Sequence, residues 1–116
     1  MRLLFVDDNT RMRRFLKTVV GDLVTEFREA ANGVEAIEQY QCFHPDAVLM
    51  DIRMPFLDGI EATRRIVRDN PEAWIVIVTD FDTPEYRIQA EHAGASGYVV
   101  KDHLFNLRAA LEARNS

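Results

Sequence analysis

One cysteine, Cys42, is all that the chain has, so no internal disulfide can form and no oxidising compartment is implied. Its expected place is that of a small, buried or half-buried apolar residue rather than a redox centre. No apolar run reaches membrane-spanning length, and Met1 leads into a short strand-like run instead of a signal peptide. Cytoplasmic residence is the expectation. Positive charge is in deficit: 14 Lys and Arg against 19 Asp and Glu leave a formal charge of −5. That balance argues against this domain gripping a nucleic-acid backbone itself, which takes a basic face. His44, His92 and His103 stand in different segments and form no ligand pair at helical spacing, which argues against a histidine metal site. Linkers, repeats and low-complexity segments are lacking too.

What is present is an ordinary globular composition. The 116 residues, 47% of them hydrophobic, suffice for one domain over residues 1–116 with a core of its own. Apolar runs alternate with amphipathic stretches. Leu3-Leu4-Phe5-Val6 is a continuous apolar run, as expected of a strand buried on both faces. Met12, Phe15, Leu16, Val19, Val20 and Leu23 then recur at helical spacing. Phe27 to Ala30 is a weaker strand signal, and Asn32 reads as the N-cap of a helix carrying Val34, Ile37 and Tyr40. Ala47-Val48-Leu49-Met50 is a third strand. Asp58 and Glu61 open a third helix in the manner of a capping box, and Pro71 stops it. Trp74 to Val78 is the clearest strand. Thr83-Pro84 starts a fourth helix and Gly94 ends it. Gly97 to Val100 is a fifth strand, and Leu104, Leu107 and Leu111 mark a last helix. Five strands, each followed by a helix, predict an α/β fold: a parallel sheet with helices on both faces.

In open sheets of this kind the site lies outside the carboxyl ends of the strands. Asp7 and Asp8 follow the first strand, Asp51 the third, Thr79 the fourth and Lys101 the fifth. If they converge, three carboxylates repel one another unless a cation joins them. Hard oxygen ligands in small number suit Mg2+, which keeps waters and leaves room for a phosphate oxygen. Lys101 brings a mobile positive charge for Asp51 or a phosphoryl group, and Thr79 a hydroxyl donor. Asp51, on the central strand, is the best candidate nucleophile. Asp7 and Asp8 are then left to hold the metal.

The runs Phe5-Val6-Asp7-Asp8-Asn9, Leu49-Met50-Asp51-Ile52-Arg53-Met54-Pro55, Asp58-Gly59, Val78-Thr79 and Gly97-Tyr98-Val99-Val100-Lys101 resemble those of bacterial two-component response-regulator receiver domains. The resemblance covers essentially the whole chain in the right order. It implies a flavodoxin-like sheet of strand order 2-1-3-4-5. It implies Asp51 as phosphoacceptor, with Asp8 and Asp51 as direct Mg2+ ligands, Asp7 acting through water and the backbone carbonyl of Arg53 as a further ligand. Thr79 and Lys101 would contact the phosphoryl group, and Tyr98 would be the switch aromatic. The implied donors are a sensor histidine kinase or phosphotransfer domain, with acetyl phosphate as a substitute. The implied activity is a switch, with only self-phosphorylation and slow self-dephosphorylation. Its readout is the face of helix four, strand five and helix five, which would engage an output domain, a downstream protein or, on phosphorylation, a second copy.

Two positions depart from the commonest family pattern. Asp102 follows Lys101 where a cis proline is usual, and it is expected to cap the last helix. Asp80 puts a further carboxylate after Thr79 where a small residue is usual. The runs around Thr79 and Lys101 look closer to receivers joined to helix-turn-helix DNA-binding domains, although stand-alone receivers also carry them. Arg11, Arg13 and Arg14, and likewise Arg64, Arg65 and Arg68, are expected on the surface. The resemblance implies a histidine donor domain docking near the first helix, where Arg11 or Arg14 would touch it. Three rivals remain on the sequence alone. A Mg2+-dependent phosphohydrolase wants a second acid where Arg53 stands, and a covering cap. A flavin module wants a glycine-rich phosphate loop where Asp7-Asp8-Asn9 stands. A pseudo-receiver would work without the full acidic, threonine and lysine set.

Overall fold

The computed structural model describes residues 1–115. Strands β1 (Arg2–Val6), β2 (Glu26–Ala30), β3 (Ala47–Met50), β4 (Ile75–Thr79) and β5 (Gly97–Val100) alternate with helices α1 (Thr10–Val19), α2 (Gly33–Phe43), α3 (Gly59–Asp69), α4 (Pro84–Ala93) and α5 (Asn106–Glu112). The sheet is parallel throughout, in the order β2-β1-β3-β4-β5. Strand alternation divides the core. Leu4, Val6, Val48, Met50, Ile75 and Ile77 face α2, α3 and α4. Leu3, Phe5, Ala47, Leu49, Val76 and Val78 face α1 and α5. Both faces are therefore covered, which is why β3 and β4 read as unbroken apolar runs.

Helix starts follow their caps. Asn9, Asn32, Asp58 and Thr83 each accept a hydrogen bond from the backbone N–H three residues on. At α3 the capping box is only half made: Glu61 turns to Arg64 and Arg65 instead of back to Asp58. Gly94 ends α4 at φ 98°, in the left-handed region that suits glycine.

Several expectations are corrected. Asp102 does not cap α5. The chain passes from β5 directly into a 3-10 turn at Lys101–His103 and stays helical through Phe105, so Asp102 lies inside the turn and α5 starts without a side-chain cap. The Lys101–Asp102 bond, which the sequence leaves open between cis and trans, is trans, as is every peptide among the described residues. Cys42 is exposed. The inward stripe of α2 is Gly33, Ala36, Tyr40 and Phe43, and position 42 falls off it. Phe15 and Val34 also face solvent.

The junction of β3 with α3 leaves no space. The Gly59 N–H donates to the Ile52 carbonyl at 2.7 Å, and a Cβ on Gly59 would lie 1.7 Å from the Asp51 carbonyl oxygen. Gly59→Ala is expected to destabilise by about 2–3 kcal/mol in urea denaturation, because the backbone beneath Asp51 has to move. Gly21→Ala, where a Cβ meets nothing within 4 Å, is the control. It should be neutral or stabilising by about 0.5 kcal/mol.

Candidate functional site: an acidic cluster at the strand ends

Register brings the acids together. Val6 pairs with Met50 across β1 and β3, so the residues that follow, Asp7 and Asp51, leave the sheet side by side. The ladder runs one bond further, from the Asp51 N–H to the Val6 carbonyl. Thr79 pairs with Val100 at the last rung of β4 and β5, which sets Lys101 just beyond it. Asp7, Asp51 and Thr79 are buried, while Asp8 is exposed. One carboxylate oxygen from each of Asp7, Asp8 and Asp51 lies within 4.8 Å of the others. The three acids are thus brought to one place.

Lys101 sits among them with little exposure. Its Nζ is 3.0 Å from Asp7 Oδ2 and 3.5 Å from Asp51 Oδ2, so the nearer partner is Asp7. The other Asp7 oxygen accepts from the Asn9 N–H, and Asp51 Oδ1 accepts from the Ile52 N–H. Burial pushes the Asp51 carboxyl up to about 6, and repulsion from Asp7 adds to the shift. Lys101 and the Ile52 N–H pull it back only in part. For Lys101, burial acts to lower the pKa, but Asp51 and Asp7 together outweigh it and leave the ammonium above its ordinary value. Asp80 lies 4.0 Å from Lys101 with a side chain 71% exposed, on the outer rim of the cluster.

A link from this cluster to α4 and β5 was not legible in the sequence. Thr79 Oγ1 accepts from the Phe81 N–H at 3.2 Å, and the Phe81 carbonyl accepts from the Tyr98 hydroxyl at 2.6 Å. Phe81 therefore joins the two side chains through its backbone. Its ring carries the Arg53 guanidinium 4.5 Å from the centroid, and Arg53 Nε donates to the Tyr86 hydroxyl. Arg87 lies over the Tyr98 ring. Aromatic residues at 81, 86 and 98 were the only available signal, and spacing alone does not bring them together. The hollow next to the cluster, about 340 Å³, is lined by Ile52, Arg53, Asp58, Arg64 and Tyr86, with Asp7, Asp8 and Asp51 outside it.

An acidic cluster at the carboxyl edge of a doubly wound sheet, with a lysine among the carboxylates, defines a class: small α/β domains that gather charge at their strand ends. The chain belongs to the response regulator receiver domain family, whose sequence profile matches residues 3–112. It is 42% identical over 100 residues to the chemotaxis protein CheY of Halobacterium salinarum, covering 86% of this chain and 83% of that protein. It is 35% identical over 104 residues to the uncharacterized transcriptional regulatory protein YhcZ of Bacillus subtilis, covering 88% of this chain but 49% of that protein. The crystal structure of a LuxR-family two-component response regulator from Aurantimonas sp. SI85-9A1 superposes with a TM-score of 0.84 at 34% identity, covering 97% of this chain and 86% of that one. This is a domain of two-component signalling, not a conventional enzyme.

The raised Asp51 pKa has a consequence for stability. The folded chain holds that proton more tightly than the unfolded chain, so this contribution favours folding at low pH and is lost as pH rises from about 4 through about 6. Above that window the ionised Asp51 opposes folding. In metal-free buffer, Asp51→Asn should be more stable than the parent by roughly 1–2 kcal/mol at about pH 7.5, with the gain gone near pH 3.5. Urea denaturation at the two pH values checks this; an equal gain at both would show that charge is not the cause.

Proposed function

We propose that the chain is a cytoplasmic phosphorylation switch that takes a phosphoryl group onto Asp51 from the phosphohistidine of a sensor kinase or phosphotransfer domain. The observation that carries this reading is the convergence of Asp7, Asp8, Asp51 and Lys101 at one strand-end cluster in a chain of this family. With its pKa raised to about 6, Asp51 is still mostly ionised at neutral pH, as a nucleophilic carboxylate has to be. An Asp51 oxygen forms the bond to phosphorus as the phosphorus–nitrogen bond breaks, and the imidazole keeps the electron pair.

The donor set fits Mg2+: three carboxylates, all hard oxygen ligands, close enough to share one ion. Asp8 and Asp51 would hold it directly, Asp7 through water, with the Arg53 carbonyl completing the protein ligands. Bound there, Mg2+ supplies positive charge that offsets the carboxylates and the phosphoryl oxygens. Lys101 exchanges its carboxylate partners for a phosphoryl oxygen. Thr79 turns its hydroxyl to another, releasing the Phe81 N–H, and the Phe81 carbonyl carries the change to Tyr98. The face of α4, β5 and α5 then presents a different surface to an output domain or a downstream protein. Relatives of both lengths exist: the chain spans most of the CheY relative and half of the transcriptional regulator.

Incubation with acetyl phosphate and Mg2+ should give a phosphate mass adduct on the parent and none on Asp51→Asn. Lys101→Met should label about 10²-fold more slowly. An Asp51→Asn chain that labels as fast as the parent sinks the assignment.

A further inference from the structure

Three arginines follow the acidic pair, and one of them behaves unlike the others. Arg11 and Arg14 are exposed. The Arg13 side chain is 14% exposed and spends its donors inward. Nη1 donates to the Asp7 carbonyl oxygen at 2.5 Å, Nε to Glu29 Oε1 at 2.9 Å and Nη2 to Thr10 Oγ1 at 3.3 Å. Glu29 lies on β2, the edge strand, and its other oxygen faces Lys17 at 3.5 Å. The Asp7 carbonyl belongs to the peptide that joins Asp7 to Asp8. The rest of Asp7 is held as well: its N–H donates to the Ala30 carbonyl, and its carboxylate meets Asn9 and Lys101.

We infer that Arg13, braced by Glu29, is a positioning residue that fixes the Asp7–Asp8 peptide and thereby the aim of both carboxylates at a shared divalent cation. The inference rests on the reading of these acids as a Mg2+ site. Fixing that peptide plane sets the Cα–Cβ directions of both acids at once, so one guanidinium contact governs two ligands. A guanidinium beside a dication is repulsive, and Glu29 offsets that charge where it stands. Lysine cannot replace the arrangement, because one ammonium does not span the Asp7 carbonyl, Glu29 and Thr10 as a planar fork does.

Charge and position make opposite predictions. Removing a nearby positive charge alone should strengthen cation binding, whereas loss of the brace should weaken it. Titration calorimetry with Mg2+ alone, without phosphodonor, on chains shown folded by circular dichroism, separates them. Arg13→Gln should bind Mg2+ about tenfold more weakly than the parent, and Arg13→Lys should fall in the same direction. Arg14→Gln removes the same charge from an exposed site and should stay within about twofold. Arg13→Lys keeps the charge and loses the fork, so it serves if Arg13→Gln does not fold. Equal or tighter binding by the folded Arg13→Gln chain, or by Arg13→Lys in its stead, overturns the inference alone. A parent chain that takes up no Mg2+ overturns the cation site, and this inference with it.

Discussion

The ion pairs that Lys101 makes with Asp7 and Asp51 are the contacts on which the rest of the site depends. Three carboxylates are gathered where the sheet ends, two of them buried, and their mutual repulsion opposes folding. One lysine, from the far side of the sheet, offsets part of it. The Asp51 carboxyl stays raised all the same, first because it is buried and second because Asp7 repels it. Parallel topology imposes this crowding. All five strands end at the same edge, so residues placed one position past β1, β3 and β5 meet whatever their separation in sequence. Asp7 and Lys101 are 94 positions apart and 3.0 Å apart in space. The repulsion is the feature that a cation or a phosphoryl transfer can act on, because either changes which partners Lys101 prefers.

Few bonds separate Thr79 from the side chain of Tyr98 on β5. Thr79, the Phe81 backbone and Tyr98 form one continuous hydrogen-bonded path, and Arg53 and Arg87 rest on the Phe81 and Tyr98 rings. Each neutral hydrogen bond is worth about 1 kcal/mol net and each charge-assisted one about 1.5–3. Moving a two-state equilibrium from 1:99 to 99:1 takes about 5.5 kcal/mol of differential interaction. Three charge-assisted bonds to a phosphoryl dianion, at about 2 kcal/mol each and made in only one of the two states, would reach that figure. The path runs over the loop that leaves β4 and ends on a side chain of β5, outside the buried core.

The sequence made the scaffold legible where one physical rule dominated. Strands buried on both faces leave unbroken apolar runs, and β1, β3 and β4 were readable for that reason. Short polar side chains at the helix starts gave the caps at Asn32 and Thr83. The acids, Thr79 and Lys101 were readable because strand ends carry the site in this topology. The strand order came from resemblance and not from pattern. What stayed hidden depended on neighbours in space. Cys42 differs from Phe43 by a 100° turn of the helix, and a rotation that small is not fixed by hydrophobic spacing when α2 is apolar on several sides. Arg13 read as surface because charge is normally solvated, and only Glu29 and an unpaired strand-end carbonyl give it reason to turn in. Asp102 read as a cap because the 3-10 turn ahead of α5 leaves no mark in composition.

Asp80 illustrates how burial and distance divide roles among acids that look alike in sequence. It approaches Lys101 to 4.0 Å, only slightly farther than Asp51, yet its side chain is 71% exposed where that of Asp51 is 11%. In water a pair at that separation is worth at most about 1 kcal/mol, and salt screens it further. Asp80 is therefore too weakly coupled to hold Lys101 in place, and the buried acids set where the ammonium rests. Its weight falls on the approach instead. On the proposed function a phosphorylated donor would arrive as an anion, and it would meet the Asp80 charge at the rim before it met the lysine within. The same exposed carboxylate that contributes little to the resting pocket would then bear most on the encounter, where long-range charge sets rate more than affinity.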